Sequence, residues 1–278
     1  MNNQTRIELN VRQRQAAAII KKDIGCITAN KRMMTALIIV PFMMTVILPA
    51  VFILTIVFVP EDSPDMQEMM VLLGSFTDGN SASDTPVTIL LLNMILNYVI
   101  PLFFLLIPIM ASSVMASSSF VGEKEKKTLE TLLYSPLPLK NIFNAKILAA
   151  FLLSMAVSVM SFILMLIFFE TFLFVMLNIL MPLSVNWLIM MLLVSPSMAL
   201  IAINLIVRGS AKSQTTEEAQ QSSLFLILPV ILLIVGQFTG IMMLGARVFL
   251  VLGCAAALIA LLLFRGSFGN YNYEKLLK

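Results

Sequence analysis

Histidine is absent from these 278 residues, and cysteine occurs only twice, as Cys26 and Cys254. Without histidine the chain lacks the commonest general base and the commonest metal ligand. The two thiols lie far apart in unlike surroundings, so neither a disulfide nor a thiol metal site is expected. No nucleophile–base pair is apparent, and no catalytic residue, metal or cofactor is expected in this chain. Charge is also scarce, at 12% of residues against 59% hydrophobic, with a net charge of +3. No nucleic-acid partner is expected. A phosphate-binding loop is missing too. The nearest string, Gly209-Ser210-Ala211-Lys212-Ser213, lacks the glycine before its lysine and follows an apolar run rather than a strand.

What is present is apolar length. The mean hydropathy is +0.97, and several uncharged runs approach twenty residues, the length that crosses a bilayer as a helix. An all-α membrane protein with six spans is predicted, at about 36–59, 89–116, 147–169, 186–207, 224–243 and 247–264. Prolines inside the first, second and fourth runs (Pro41, Pro49, Pro101, Pro108, Pro196) predict kinks, which neighbouring helices can satisfy. Thr171–Met181 follows Glu170 and reads as a re-entrant or outer-interface helix, and Trp187 reads as an interfacial anchor. The string ASSVMASSS at the end of the second run supplies small hydroxylated residues, which suit tight helix packing better than a polar path.

Charge placement gives the orientation. Seventeen of the 18 Lys and Arg fall in residues 1–34, 123–146, 208–212 and the tail, leaving only Arg247 on the other side. Six acids and no Lys or Arg occupy 60–88, a polar outer loop with one short helix expected around Met66–Leu73. The asymmetry predicts both termini in the cytoplasm. The first 34 residues carry no apolar signal core, so a retained cytoplasmic start is expected. Within them, Ala16, Ile19, Ile20, Ile24 and Ile27 share one face of a basic helix suited to lying in the membrane interface against lipid.

One stretch stands out. Residues 122–134, GEKEKKTLETLLY, pack Glu123, Lys124, Glu125, Lys126, Lys127 and Glu130 between two apolar runs. Leu129, Leu132 and Leu133 make a narrow stripe, Glu123 and Lys127 form an i, i+4 pair, and Pro136 stops the helix. This predicts a short cytoplasmic amphipathic helix between spans two and three, with a charge pattern suited to a complementary partner. Within the apolar runs, polar side chains are few. Glu170 is a proton or cation site or an acid at the outer lip, and Asn93, Asn97, Asn178 and Asn204 line a path or bridge helices.

The segment from Gly122 to Leu133, followed by Ser135-Pro136, resembles the G-E-[RK]-E-[RK]-x-T-L-E-x-L-L-x-[ST]-P signature of ABC-2 type transporter permeases. Glu218-Ala219-Gln220-Gln221 and the tail Tyr271-Asn272-Tyr273-Glu274-Lys275 are similar to the sodium-exporter-like branch, although the loop at 60–88 is shorter than in its larger members. The resemblance implies residues 1–34 as an elbow helix and 35–278 as a six-span transmembrane unit in a bacterial cytoplasmic membrane. It implies pairing with a second permease, identical or homologous, and with two cytoplasmic ABC ATPase subunits that bind the ATP and magnesium. Glu123, Glu125, Thr128, Leu129, Glu130 and Leu133 would form the coupling helix that contacts the ATPase, and Glu170, Asn93, Asn97 and Asn204 a substrate path. Two other readings stand beside an exporter subunit: an ion-coupled carrier, and an ABC-like sensor or immunity protein that does not transport.

Overall fold

The computed structural model describes residues 17–18, 20–58, 63–64, 67–68, 71, 87–126, 139–179, 184–210, 212–239 and 245–267. Among these every regular element is a helix. We label them α1 (20–29), α2 (Met33–Phe58), α3 (Thr88–Glu125), α4 (Leu139–Leu177), α5 (Val185–Gly209), α6 (Thr216–Gln221), α7 (Leu224–Phe238) and α8 (Ala246–Ser267). Six helical stretches are long and apolar enough to cross a membrane, α6 and α7 together forming the fifth.

Helices α3 and α5 form the centre. In their most apolar windows 67% and 61% of residues are buried, against 17–22% for the other four. The sequence supports this division. Ser112, Ser113, Ser117 and Ser119 of α3 are all buried, and their small side chains let neighbouring helices approach. Ser112 and Ser117 return their hydroxyls to Ile109 O and Val114 O of their own helix. The outer helices keep Ile, Leu, Phe and Val on their exposed faces, as contact with lipid requires. On α8, Gly253 makes one close approach possible. A Cβ there would lie 2.6 Å from Leu193 Cδ2 and 3.2 Å from Val194 Cγ2 of α5.

Three of the five prolines expected to kink the spans share one local form, whereas Pro41 and Pro108 sit in ordinary α-helix. Wide π turns occupy Met43–Ile47, Ile95–Val99 and Met190–Val194, and each is followed by a single residue and then a proline: Pro49, Pro101 and Pro196. At each, the residue before the proline donates its N–H five positions back, to Met43 O, Ile95 O and Met190 O. Proline brings no N–H, and its ring clashes with the carbonyl four residues earlier. Widening the preceding turn moves that carbonyl aside without ending the helix.

Several expectations are revised. The helix expected to begin at Gly122 does not begin there, because α3 runs unbroken from Leu106 to Glu125. Span three does not stop at Phe169 with a separate segment after it; α4 continues through Glu170 to Leu177 without a break. Nothing at Glu170 interrupts the backbone ladder, since glutamate is a good helix former. At 39 residues α4 is about 58 Å long, well beyond the roughly 30 Å of a hydrocarbon core. Trp187 is 1% exposed rather than interfacial, stacked edge-on with Phe104 at 5.7 Å and tilted against Phe162 at 5.6 Å. Of the helix expected around Met66–Leu73, only Gln67, Glu68 and Val71 are described, and all three are helical; the tail at 271–275 lies outside the described residues.

Candidate functional site: the charged end of the second span

Four structural elements converge on the last turns of α3. Glu123 is 8% exposed, and its two carboxylate oxygens face two different lysines. Oε1 lies 2.9 Å from Lys22 Nζ of α1, and Oε2 lies 2.8 Å from Lys146 Nζ of α4. Lys146 is itself buried, donates a hydrogen bond to Ser119 O, and sits 5.6 Å from the centre of the Phe120 ring. Ser119 Oγ donates to Asp23 Oδ2 of α1, another buried carboxylate. Two cations and two anions thus balance within one cluster, the condition under which charges can leave water.

The loop between spans four and five closes the other side. Thr215 caps α6 by accepting the Glu218 N–H at 3.2 Å, while Glu218 Oε2 accepts the Gln214 N–H at 2.7 Å, a reciprocal cap. The cap aims α6 along α3. Thr216 N donates to Glu125 Oε2 at 3.1 Å, Gln220 Nε2 to Ser117 Oγ at 3.1 Å, and Lys124 Nζ to Ser213 O at 3.3 Å. At the start of α7, Ser113 Oγ donates to Ser223 Oγ at 3.0 Å.

Lys22 links α1 to this cluster, and its protonation is tuned by it. Burial alone pulls its pKa down. The hydrogen bond to Glu123 and the charges of Glu123, Asp23 and Cys26 outweigh that, so the net shift is upward from the ordinary lysine value.

Of the residues expected on a coupling helix, Glu123 and Glu125 are the two the structure describes, and both are held by the bundle. Glu123 pairs inward with α1 and α4, and Glu125 holds α6. Thr128, Leu129, Glu130 and Leu133 lie outside the described residues. Sequence reasoning missed Lys146, Asp23 and Ser119. The available signal was the cost of burial: a lysine that opens a long apolar helix needs an anion, and Glu123 stands close to the neighbouring span's end.

The residues expected on a polar path fall into separate places. Asn97 Nδ2 donates to Asn93 Oδ1 at 2.6 Å, and Asn97 Oδ1 accepts the Ser184 N–H at 3.1 Å. The same turn exposes the two carbonyls that Pro101 cannot serve. Asn186 Nδ2 donates to Asn97 O at 2.9 Å, and Trp187 Nε1 to Leu96 O at 3.1 Å. Asn204 donates to Leu200 O of its own helix. Glu170 is half-buried on α4, and its Oε2 is buried without a hydrogen-bond partner among the described residues. No group of three or more metal-ligating side chains occurs among the described residues.

No curated protein and no solved structure matches the chain significantly. A family model described as ABC-2 family transporter protein matches residues 17–264, which takes in α1, all six spans and the cluster around Glu123. On that match the chain belongs to the ABC-2 transporter family and is a multi-pass membrane permease.

Proposed function

We propose that this permease is the membrane half of an ATP-driven exporter, receiving force from separate cytoplasmic ATPase subunits through residues 127–134. The observation that carries this reading is the convergence on Ser113–Glu125. The interfacial helix, span three and the loop before span five are all tied to the turns of α3 that lead directly into that segment. A push delivered there reaches α1, α4 and α6 through short polar contacts. The buried Glu123–Lys146 pair transmits displacement because its geometry is costly to break. Glu123 and Glu125 then act as fasteners behind the contact, while Thr128, Leu129, Glu130 and Leu133 carry the contact itself. Two ATPase subunits bind the ATP and magnesium, a second permease completes the assembly, and the charged end faces the cytoplasm of a bacterial cell membrane, as the Lys/Arg asymmetry favours.

Deletion of residues 127–134 tests the reading. The shortened protein is expected to insert in the membrane but no longer to co-purify with an ATPase or stimulate ATP hydrolysis. If it still assembled and transported, the segment would not be the coupling element. Glu170, with its partnerless buried oxygen, favours a second reading as an ion-coupled carrier. That reading requires Glu170→Gln to stop transport with no ATPase in the complex.

A further inference from the structure

At the end of the bundle away from the ionic cluster, charge is scarce. Glu170 stands twenty-four residues beyond Lys146 on α4, about 36 Å along the axis. Arg247 opens α8, whose far end returns to the ionic end, where Arg208 Nη2 donates to Leu263 O at 3.0 Å. Arg247 is the one Lys or Arg outside the four basic segments, so Glu170 has no other cation at its level. Among the described residues neither side chain makes an ion pair or a hydrogen bond, and Glu170 Oε2 is buried. Each charge is unfavourable alone. A carboxylate within an apolar span calls for a cation. Arg247 lies in the first turn of α8, where the helix dipole opposes a positive charge and no acid compensates it.

Both charges sit on unpartnered apolar faces. Helical spacing groups Glu170 with Ile167 and Phe174, and Arg247 with Val251, and these three apolar side chains are exposed. The outer turns of α5 lie between α4 and α8, touching one through Trp187 and Phe162 and the other through Leu193 and Gly253. There α5 turns Leu188 and Leu192 outward. The result is a single patch, acid on one flank, apolar in the middle and basic on the other flank. Such a patch is complementary to itself, because a two-fold rotation about an axis at α5 brings each acid to a base.

From this complementarity we infer that the α4–α5–α8 face binds a second copy of this chain, with Glu170 of each protomer paired to Arg247 of the other. The inference rests on the reading that a second permease completes the assembly, and names both the partner and the face.

Cross-linking between two differently tagged copies tests it. Both carry Cys26→Ser and Cys254→Ser, which remove the two free thiols; one adds Glu170→Cys and the other Arg247→Cys. The reagent is 1,3-propanediyl bismethanethiosulfonate, since an Arg–Glu pair holds its Cα atoms farther apart than a disulfide spans. The expected product is a band of twice the chain mass carrying both tags. In a second measurement, Förster transfer between labelled copies in phosphatidylcholine liposomes, with no ATPase added, reads the dimer affinity. Glu170→Gln should weaken it about tenfold, each partly exposed pair being worth a few-fold and the two-fold axis supplying two. Glu170→Arg should weaken it further, and adding Arg247→Glu to that variant should restore it. The acids of 60–88 are the competing partners for Arg247, and pairing with them would give neither the mixed band nor the restoration. The inference is overturned if the chain alone stays monomeric, if the mixed band is absent, or if the exchanged charges fail to restore affinity. Such a failure would leave the coupling reading untouched, because that reading depends on residues 127–134 and on ATPase co-purification.

Discussion

At Ser119–Glu123 the second span is gripped by lysines and carboxylates from two other helices, whereas at Leu96–Asn97 it is gripped by neutral donors from one. The charged grip uses side chain against side chain and gathers α1 and α4 onto α3. The neutral grip uses side chains of α5 to replace backbone hydrogen bonds that Pro101 removed. Opposite charges attract at a distance and yield to pH and salt. A carbonyl left open by a proline demands a donor at one place, and little in the solvent alters that demand. One helix thus carries a joint sensitive to its surroundings at one end and an insensitive joint at the other.

The largest effect should come from removing the shared anion. Glu123→Gln leaves Lys146 buried beside a neutral amide, and loss of one partner from a buried pair costs about 3–5 kcal/mol. A fall in thermal unfolding temperature, together with loss of α1 protection in hydrogen exchange, would register it. Restoration of stability by the added change Lys146→Met would identify the unpaired lysine as the cause. Little change in Glu123→Gln would mean that apolar packing, not charge, holds this end.

Trp187→Phe probes the other grip. It keeps most of the ring packing against Phe104 and Phe162 but leaves the Leu96 carbonyl without its indole donor. The expected cost is about 1–3 kcal/mol, the penalty of an unsatisfied buried polar group. Denaturation in mild detergent would measure it, and the loss should be the same at low and high salt. A salt-dependent loss would break the contrast between the two ends.

The smallest effect concerns pH. Because the folded state raises the pKa of Lys22, its contribution is complete below the ordinary lysine value and is lost as pH climbs through the raised one. Exchange protection of α1 should therefore hold through neutral pH and fall only in strong alkali. Raising ionic strength to about 1 M, where the screening length shrinks to roughly 3 Å, should loosen α1 in the same way because Lys22 is half-exposed. The joint at Leu96 and Asn97 should not respond to either change.

Much of the architecture was legible in the sequence because bilayer length and helix composition leave few alternatives. Six spans, an amphipathic arm and small serines packed inside α3 all follow from local patterns. The prolines of three spans announced kinks, but not that one in each span, Pro49, Pro101 and Pro196, would be preceded by a π turn in the same register while Pro41 and Pro108 would not. That depends on how a carbonyl moves aside for a ring, which no periodicity records. Trp187 misled because an indole suits both an interface and a buried proline break, and only the position of Pro101 across the gap separates the two. Glu123 misled for a related reason. Read with Lys127 it belongs to a solvated helix, and read with Lys22 and Lys146, respectively 101 and 23 residues away, it is the centre of the bundle's end.

Trp187 is the one tryptophan in the chain. Its indole nitrogen is committed to the opened turn of α3, so the protein's entire indole emission originates at the contact between spans two and four. The joint is therefore its own spectroscopic reporter: a shift or quench of that emission on adding ligand, nucleotide or partner would reveal whether the two spans part, with no label and no engineered residue.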